Sequence, residues 1–195
     1  MKKIILASKS PRRIEMLSIY LKNVRIISAD IIEKVNQNDE PQTTTMKIAF
    51  EKASAVYDIL KEQNEDGIII SADTIVYLDY VMGKPHSYED GFNTLKHLSG
   101  KTHKVFTGLC IWDIQSNIKI VDYEETLVTF NDLTDDDIRN YLDTKEYEDK
   151  AGSYGIQGYG ELLVKKIDGC YNNVVGLPLN KLNILLKKHF SQGLL

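Results

Sequence analysis

Two adjacent arginines, a serine just before them and a lone aspartate inside an apolar run are the residues best equipped for chemistry on an anion. The segment Ser8-Lys9-Ser10-Pro11-Arg12-Arg13 stands between the apolar run Ile4–Ala7 and a stretch of helical spacing. A helix start presents unpaired N–H groups and a positive dipole end, and anions bind there. Arginine adds planar, permanently charged donors that match phosphate oxygens two at a time. The plain alternative is a capped helix with two solvated arginines. Asp73 lies in Ile68-Ile69-Ile70-Ser71-Ala72-Asp73-Thr74-Ile75-Val76. An ionised carboxylate in so apolar a strand is costly unless a cation or hydrogen-bond donors compensate it. At a strand end it could hold a metal, orient a water or act as general base. Otherwise it caps a turn or pairs with a structural lysine.

Lys84, between Gly83 and Pro85, occupies a stiff, bent loop after the Asp73 strand. Lys52 stands at the edge of a helical apolar stripe, from which its long stem can run along the core. Either one alone reads as a surface lysine. Asp30 and Glu33 could supply a second metal ligand, because magnesium takes only one or two carboxylates beside substrate phosphates. Gly152-Ser153-Tyr154-Gly155-Ile156-Gln157-Gly158-Tyr159-Gly160 holds four glycines in nine residues, which permits close backbone approach. Gln157 carries both a donor and an acceptor, as reading a base edge requires. The competing reading of this segment is a flexible hairpin loop.

Several chemistries are excluded. The glycine segment does not follow a strand and open a helix, and Gly-Lys-Ser/Thr is absent, so neither nucleotide fingerprint is present. No Gly-x-Ser-x-Gly elbow occurs. His86, His97, His103 and His189 lack the spacing of a zinc site. A net charge of −4 over 195 residues lacks the basic excess of a nucleic-acid binder. Cys110 and Cys170 indicate no disulfide framework. The run Ile4–Ala7 is too short for a signal-peptide core and no stretch approaches a membrane span, so a cytoplasmic protein without membrane contact is expected.

The elements that must position these residues follow from periodicity. Lys2 to Ala7 reads as a buried strand and Pro11 to Lys22 as a helix capped by Ser10, with Ile14, Leu17 and Leu21 on one face. Val24 to Ser28 is a weak strand, followed by a polar loop ending near Pro41. Thr43 or Thr44 caps a helix whose stripe is Met46, Ala49, Phe50, Ala53, Val56, Tyr57 and Leu60. Gly67 to Leu78 reads as a central strand covered on both faces. A helix opens at Ser87 and stops at Gly100, and His103–Trp112 with Lys119–Phe130 form a hairpin around Ser116-Asn117. Thr134 caps a short helix, Leu162–Ile167 is a strand, and Pro178 opens a last helix. The pattern is a mixed α/β fold, one domain over residues 1–195.

Leu6-Ala7-Ser8-x-Ser10-Pro11-Arg12-Arg13, Ala72-Asp73-Thr74, Gly83-Lys84-Pro85 and Leu98-Ser99-Gly100 recur in a fixed order with four later motifs. These are His103-x-Val105-x-Thr107-Gly108, Asp149-Lys150-Ala151-Gly152, Tyr154-Gly155-Ile156-Gln157-Gly158 and Asn173-Val174-x-Gly176-Leu177-Pro178. Together they resemble the Maf family of nucleotide pyrophosphatases, from Ile4 to near Phe190. The resemblance implies an elongated mixed-sheet α/β fold related to the ITP pyrophosphatases, with a central cleft between two lobes. It implies hydrolysis of nucleoside triphosphates to monophosphate and pyrophosphate with Mg²⁺ or Mn²⁺. Asp73 matches the general base, with Glu33 near the metal beside it. Arg12, Thr74 and Gln157 match positions linked to substrate choice, in the form of the subgroup acting on dTTP and UTP. Ser8, Arg13, Lys52 and Lys84 match phosphate-holding positions. The partner implied is a small nucleotide, not a nucleic acid, and the assembly a homodimer. The chain departs from the family at Ser71, where glycine is common, and in the charged Lys9. Two other readings stand beside this one: the same reaction on modified nucleotides, and a non-catalytic nucleotide-binding regulator of cell division or septum formation. A substrate panel separates all three.

Overall fold

The computed structural model describes residues 2–28, 30–36 and 39–195. Short apolar segments near the N-terminus build the parallel part of the sheet. Strand β1 (Ile4–Leu6) pairs in parallel with β2 (Arg25–Ile26) on one side and with β3 (Ile68–Tyr77) on the other, so that Leu6 lies opposite both Ile26 and Ile70. Two long strands, β5 (Thr102–Asp113) and β6 (Lys119–Phe130), follow β3 in the hydrogen-bonding order, and β7 (Val164–Asp168) pairs antiparallel with β6. The two-residue β4 (Val81–Met82) folds back on β3. Among the described residues the sheet has seven strands and is mixed, in keeping with a mixed α/β fold.

The helices are α1 (Pro11–Ser18), α2 (Pro41–Glu62), α3 (Tyr88–Leu98), α4 (Asp135–Asp143), α5 (Tyr171–Val175) and α6 (Leu179–Phe190). None of the described helices is long and apolar enough to cross a membrane. The caps read from sequence hold at Ser87, which accepts from the Asp90 N–H, and at Thr134, which forms a reciprocal capping box with Asp137. Others shift. Helix α2 starts at Pro41, not at Thr43 or Thr44, because proline is preorganised for the first helical turn. Thr44 is buried instead of capping, as is its neighbour Thr45, and Ile48 joins the inward face. Helix α1 ends at Ser18, one turn before Lys22, leaving Leu21 outside it. Strand β7 begins at Val164 because Gly158–Leu163 winds into 3-10 turns. Gln37 and Asn38, in the polar loop ahead of Pro41, lie outside the described residues.

Contacts divide the chain into two units. The first comprises Met1–Asp73, Thr107–Glu124 and Gly176–Leu195; the second comprises Thr74–Phe106 and Glu125–Val175. In the first, α2 lays Ala49, Ala53, Val56 and Leu60 against Ile5 of β1, Ile69 of β3, and Cys110 and Trp112 of β5. Alanines on the helix face let it approach the sheet closely, and Gly108 completes this. A side chain there would collide with the backbone of Thr45. Trp112 stacks with both Phe50 and Tyr57. In the second unit the core gathers Leu95 and Leu98 of α3, Ile138, Tyr141 and Leu142 of α4, and Val128 and Phe130 of β6.

Candidate active site

The parallel strands decide where the first unit can do chemistry. In open α/β sheets ligands bind beyond the carboxyl ends of the strands, where the strand order turns back. Here β1 sits between β2 and β3, and the chain leaving β1 carries Ser8, Arg12 and Arg13 directly into α1. The chain leaving β2 carries Glu33, and β3 carries Asp73 three residues beyond the last rung shared with β1. Parallel pairing therefore brings three segments, distant in sequence, to one edge.

At that edge Asp73 is 7% exposed, too buried to stand as an uncompensated carboxylate. Its compensation comes from α2. The Lys52 ammonium donates to Asp73 Oδ1 at 2.7 Å and lies 2.8 Å from Glu33 Oε1. The stem of Lys52 runs beside Ala49 and Ala53, as the stripe edge suggested, and its charge ends among the carboxylates. Ser71, the departure noted in the sequence, donates its hydroxyl to the Ala49 carbonyl at 2.5 Å. That bond ties β3 to α2 one turn before Lys52.

Arg13 is oriented by a backbone group: its Nε donates to the Gly176 carbonyl at 2.7 Å. Burial pulls its guanidinium below the ordinary value, the Asp73 carboxylate opposes this, and Arg12 and Glu33 act in opposite directions. Arginine remains a cation under such pressure. Ser8 is buried, and its hydroxyl accepts from the Ser10 N–H at 3.2 Å, a serine turn that bends the chain into α1. Ser10 occupies the N-cap position, but its side chain makes no capping bond, contrary to the sequence reading. Asp30 pairs with Lys9 at 2.5 Å on the surface, while Glu33 is the acidic residue that meets Lys52.

Thr74, Lys84 and Gln157 belong to the second unit. Thr74 is half-buried on β3, Lys84 is exposed after β4, and Gln157 is exposed at the start of a 3-10 turn. The structure thus brings Asp73, Lys52, Glu33 and Arg13 together in the first unit, which also holds Ser8 and Arg12, and sets Thr74, Lys84 and Gln157 in the second. Sequence reasoning missed the Gly176 carbonyl, since a backbone acceptor leaves no mark in residue type. It also missed Ser71 as a clamp, because a hydroxyl in a strand looks the same whether or not a helix carbonyl awaits it.

Two carboxylate oxygens, from Asp73 and Glu33, converge on the single Lys52 ammonium. Among the described residues no group of three or more His, Cys, Asp or Glu side chains could hold a metal. Two carboxylates nonetheless suit Mg²⁺ or Mn²⁺ that completes its shell with phosphate oxygens and water.

A family model described as Maf-like protein matches residues 3–189. The chain belongs to the Maf-like family. Maf-like relatives resemble it along nearly their whole length. A protein of Caldicellulosiruptor bescii named dTTP/UTP pyrophosphatase is 44% identical over 96% of this chain and 95% of its own. One of the same name from Alkaliphilus oremlandii is 45% identical over 100% of both chains. Among solved structures, the Staphylococcus aureus Ham1 protein covers 67% of this Maf-like chain and 73% of its own at 15% identity and a TM-score of 0.47.

Proposed function

We propose that this Maf-like chain is a divalent-cation-dependent nucleoside triphosphate pyrophosphatase that converts dTTP and UTP to the monophosphate and pyrophosphate. The observation that carries the reading is Lys52 held between the Asp73 and Glu33 carboxylates, with Arg13 aimed from α1. The substrate class is supported by the name dTTP/UTP pyrophosphatase borne by relatives 44% and 45% identical.

Asp73 and Glu33 would hold the Mg²⁺ or Mn²⁺, which when bound neutralises phosphate charge and polarises the reacting phosphorus. Arg12, Arg13 and Lys52 outnumber the two carboxylates by one positive charge, which favours a polyanion. Arg13, oriented through Nε, would bring its guanidinium charge to the phosphate oxygens. Ser8 and the first turn of α1 supply neutral donors to the same anion. Lys52 gives up the carboxylates for phosphate as the substrate enters. A carboxylate has about four lone-pair sites, so Asp73 would hold the metal and still accept from a water. That water attacks the α-phosphorus, its proton passes to Asp73, and the bond to the β-phosphate breaks to release pyrophosphate. Positioning and charge stabilisation supply most of the rate. Lys84 adds charge for the phosphates, and Thr74 and Gln157 read the pyrimidine. The reading makes the protein cytoplasmic, where nucleoside triphosphates are made; its two unpaired cysteines fit a reducing compartment.

The test is pyrophosphate release from each common and modified nucleoside triphosphate, with Mg²⁺, Mn²⁺ or chelator. Metal-dependent release from dTTP and UTP is expected. Turnover confined to purine or modified nucleotides overturns the substrate assignment, and no turnover by folded protein overturns the enzyme.

A further inference from the structure

The segment that carries Gln157 is closed on itself by one carboxylate. Glu146, just after α4, accepts the Tyr159 N–H on Oε2 at 3.0 Å and the Gly160 N–H on Oε1 at 3.1 Å. The Tyr141 hydroxyl donates to Oε1 at 3.3 Å and itself accepts the Gly155 N–H at 3.1 Å. Burial holds the Tyr141 phenol above its ordinary value, so it stays a donor. One end of the span from Gly155 to Gly160 is thereby tied to Tyr141 and the other to Glu146, and the Tyr141 hydroxyl joins the two.

The glycines show how tight the closure is. A side chain at Gly160 would overlap the Gly155 carbonyl oxygen, and one at Gly158, where φ is +70°, would overlap Glu146 Oε2. Lys150 packs its stem where Gly155 lacks a side chain. Inside this ring Gln157 has an extended backbone (φ −96°, ψ 153°) and is exposed. A side chain on a pinned backbone loses less freedom on meeting a ligand than one on a loose loop.

We propose that Glu146 is a positioning residue for substrate selection: its carboxylate closes the 155–160 loop and so fixes the Gln157 amide for the nucleobase. The proposal rests on the reading that Gln157 contacts the base. Glu146 acts through the loop backbone and takes no part in the bond-breaking step. Its replacement therefore raises KM for pyrimidine nucleotides and erodes base preference, while kcat with saturating substrate changes little.

The experiment compares wild type, Glu146→Gln, Glu146→Ala, Gln157→Ala and the Glu146→Gln/Gln157→Ala double variant. Measured are kcat and KM on UTP, dTTP, ATP and GTP, with amide hydrogen exchange of residues 155–160. Glutamine keeps the shape of Glu146 but has one acceptor oxygen, so it decides the matter even if the alanine variant fails to fold. Expected for Glu146→Gln is a rise of about tenfold in KM for UTP, the scale of a lost charge-assisted hydrogen bond. Faster exchange at Tyr159 and Gly160 accompanies it, and kcat stays within about threefold. The double variant should select no worse than Gln157→Ala alone, because both changes remove one function. Loss of preference in Gln157→Ala with full preference retained in Glu146→Gln overturns the role of Glu146 and leaves the base reading intact. Unchanged preference in Gln157→Ala overturns the base reading, and this proposal with it.

Discussion

Asp73 is held by side chains and Gln157 by backbone. The carboxylate of Asp73 meets the Lys52 ammonium at 2.7 Å, and the same ammonium reaches Glu33. The Gln157 loop is instead held through the amides of Gly155, Tyr159 and Gly160, gathered by Tyr141 and Glu146. On the proposed function, the first arrangement supplies the full charges that bind a polyanion, and its strength depends on exclusion of water. The second places a neutral amide on a stiff loop, the requirement for telling one base edge from another. Under the proposed function, rate and choice fall to regions built by different physics, and variants in each should fail differently.

The largest effect is expected at Asp73. Asp73→Asn keeps the shape but removes the proton acceptor and a negative charge, and turnover should fall by about 10²–10⁴-fold. Circular dichroism should show the fold intact, and near-normal steady-state release would end the assignment. Lys52→Met comes next. It leaves Asp73 and Glu33 without their shared cation, and kcat/KM on UTP should fall by roughly 10²-fold, with stability lower by about 3 kcal/mol. The same variant should bind Mn²⁺ more tightly than wild type when no nucleotide is present, as read by calorimetry, because the ammonium no longer competes. Equal or weaker Mn²⁺ binding would contradict a cation site between those carboxylates.

Gln157→Ala should cost choice more than rate. Preference for UTP over GTP is expected to drop by about tenfold, with kcat on UTP changed by less than that. A uniform loss on every nucleotide would erase the distinction between the two regions.

The smallest effect concerns stability in the second unit alone. His103 Nε2 lies 2.8 Å from the Tyr154 hydroxyl at the head of the glycine loop, and both rings stand edge-on to Phe130. Burial pushes the imidazole from its ordinary 6.5 down to about 4. The unfolded chain therefore takes up a proton below pH 6.5 that the folded chain refuses until about pH 4. The stability contributed by neutral His103 is complete above pH 6.5 and is lost as pH falls towards 4. The loss is on the order of 3 kcal/mol. Melting temperatures of His103→Gln, which keeps a polar partner for Tyr154 but does not titrate, should fall less steeply across that window. Parallel curves for the two proteins would refute the buried neutral imidazole.

What the sequence disclosed follows the same division. Asp73 stood out because a charge in an isoleucine-rich strand needs a partner, and Lys52 because a long cation bordered an alanine-lined stripe. Strand β3, buried on both faces up to Asp73, was legible for the same reason. Glu146 was not. It lies in Glu146-Tyr147-Glu148-Asp149, where nothing in residue type separates a carboxylate that collects backbone amides from a solvated one. The short helix α5 and the late start of β7 also escaped notice, because 3-10 turns and five-residue helices lack a period long enough to read. The stripe of helix α2 was read correctly at Ala49, Ala53, Val56 and Leu60, but Phe50 is exposed and Ile48 buried, and the start was missed, where two threonines looked like better caps than the proline before them.

The most direct test of the central claim is hydrolysis of UTP in ¹⁸O-enriched water with Mg²⁺, followed by mass spectrometry of both products. Attack by a water held at Asp73 on the α-phosphorus predicts one heavy oxygen in the monophosphate and none in the pyrophosphate. Label in pyrophosphate, or release of orthophosphate in its place, would mean that the chain cuts a different bond and that the arrangement of Asp73, Lys52 and Arg13 has been misread.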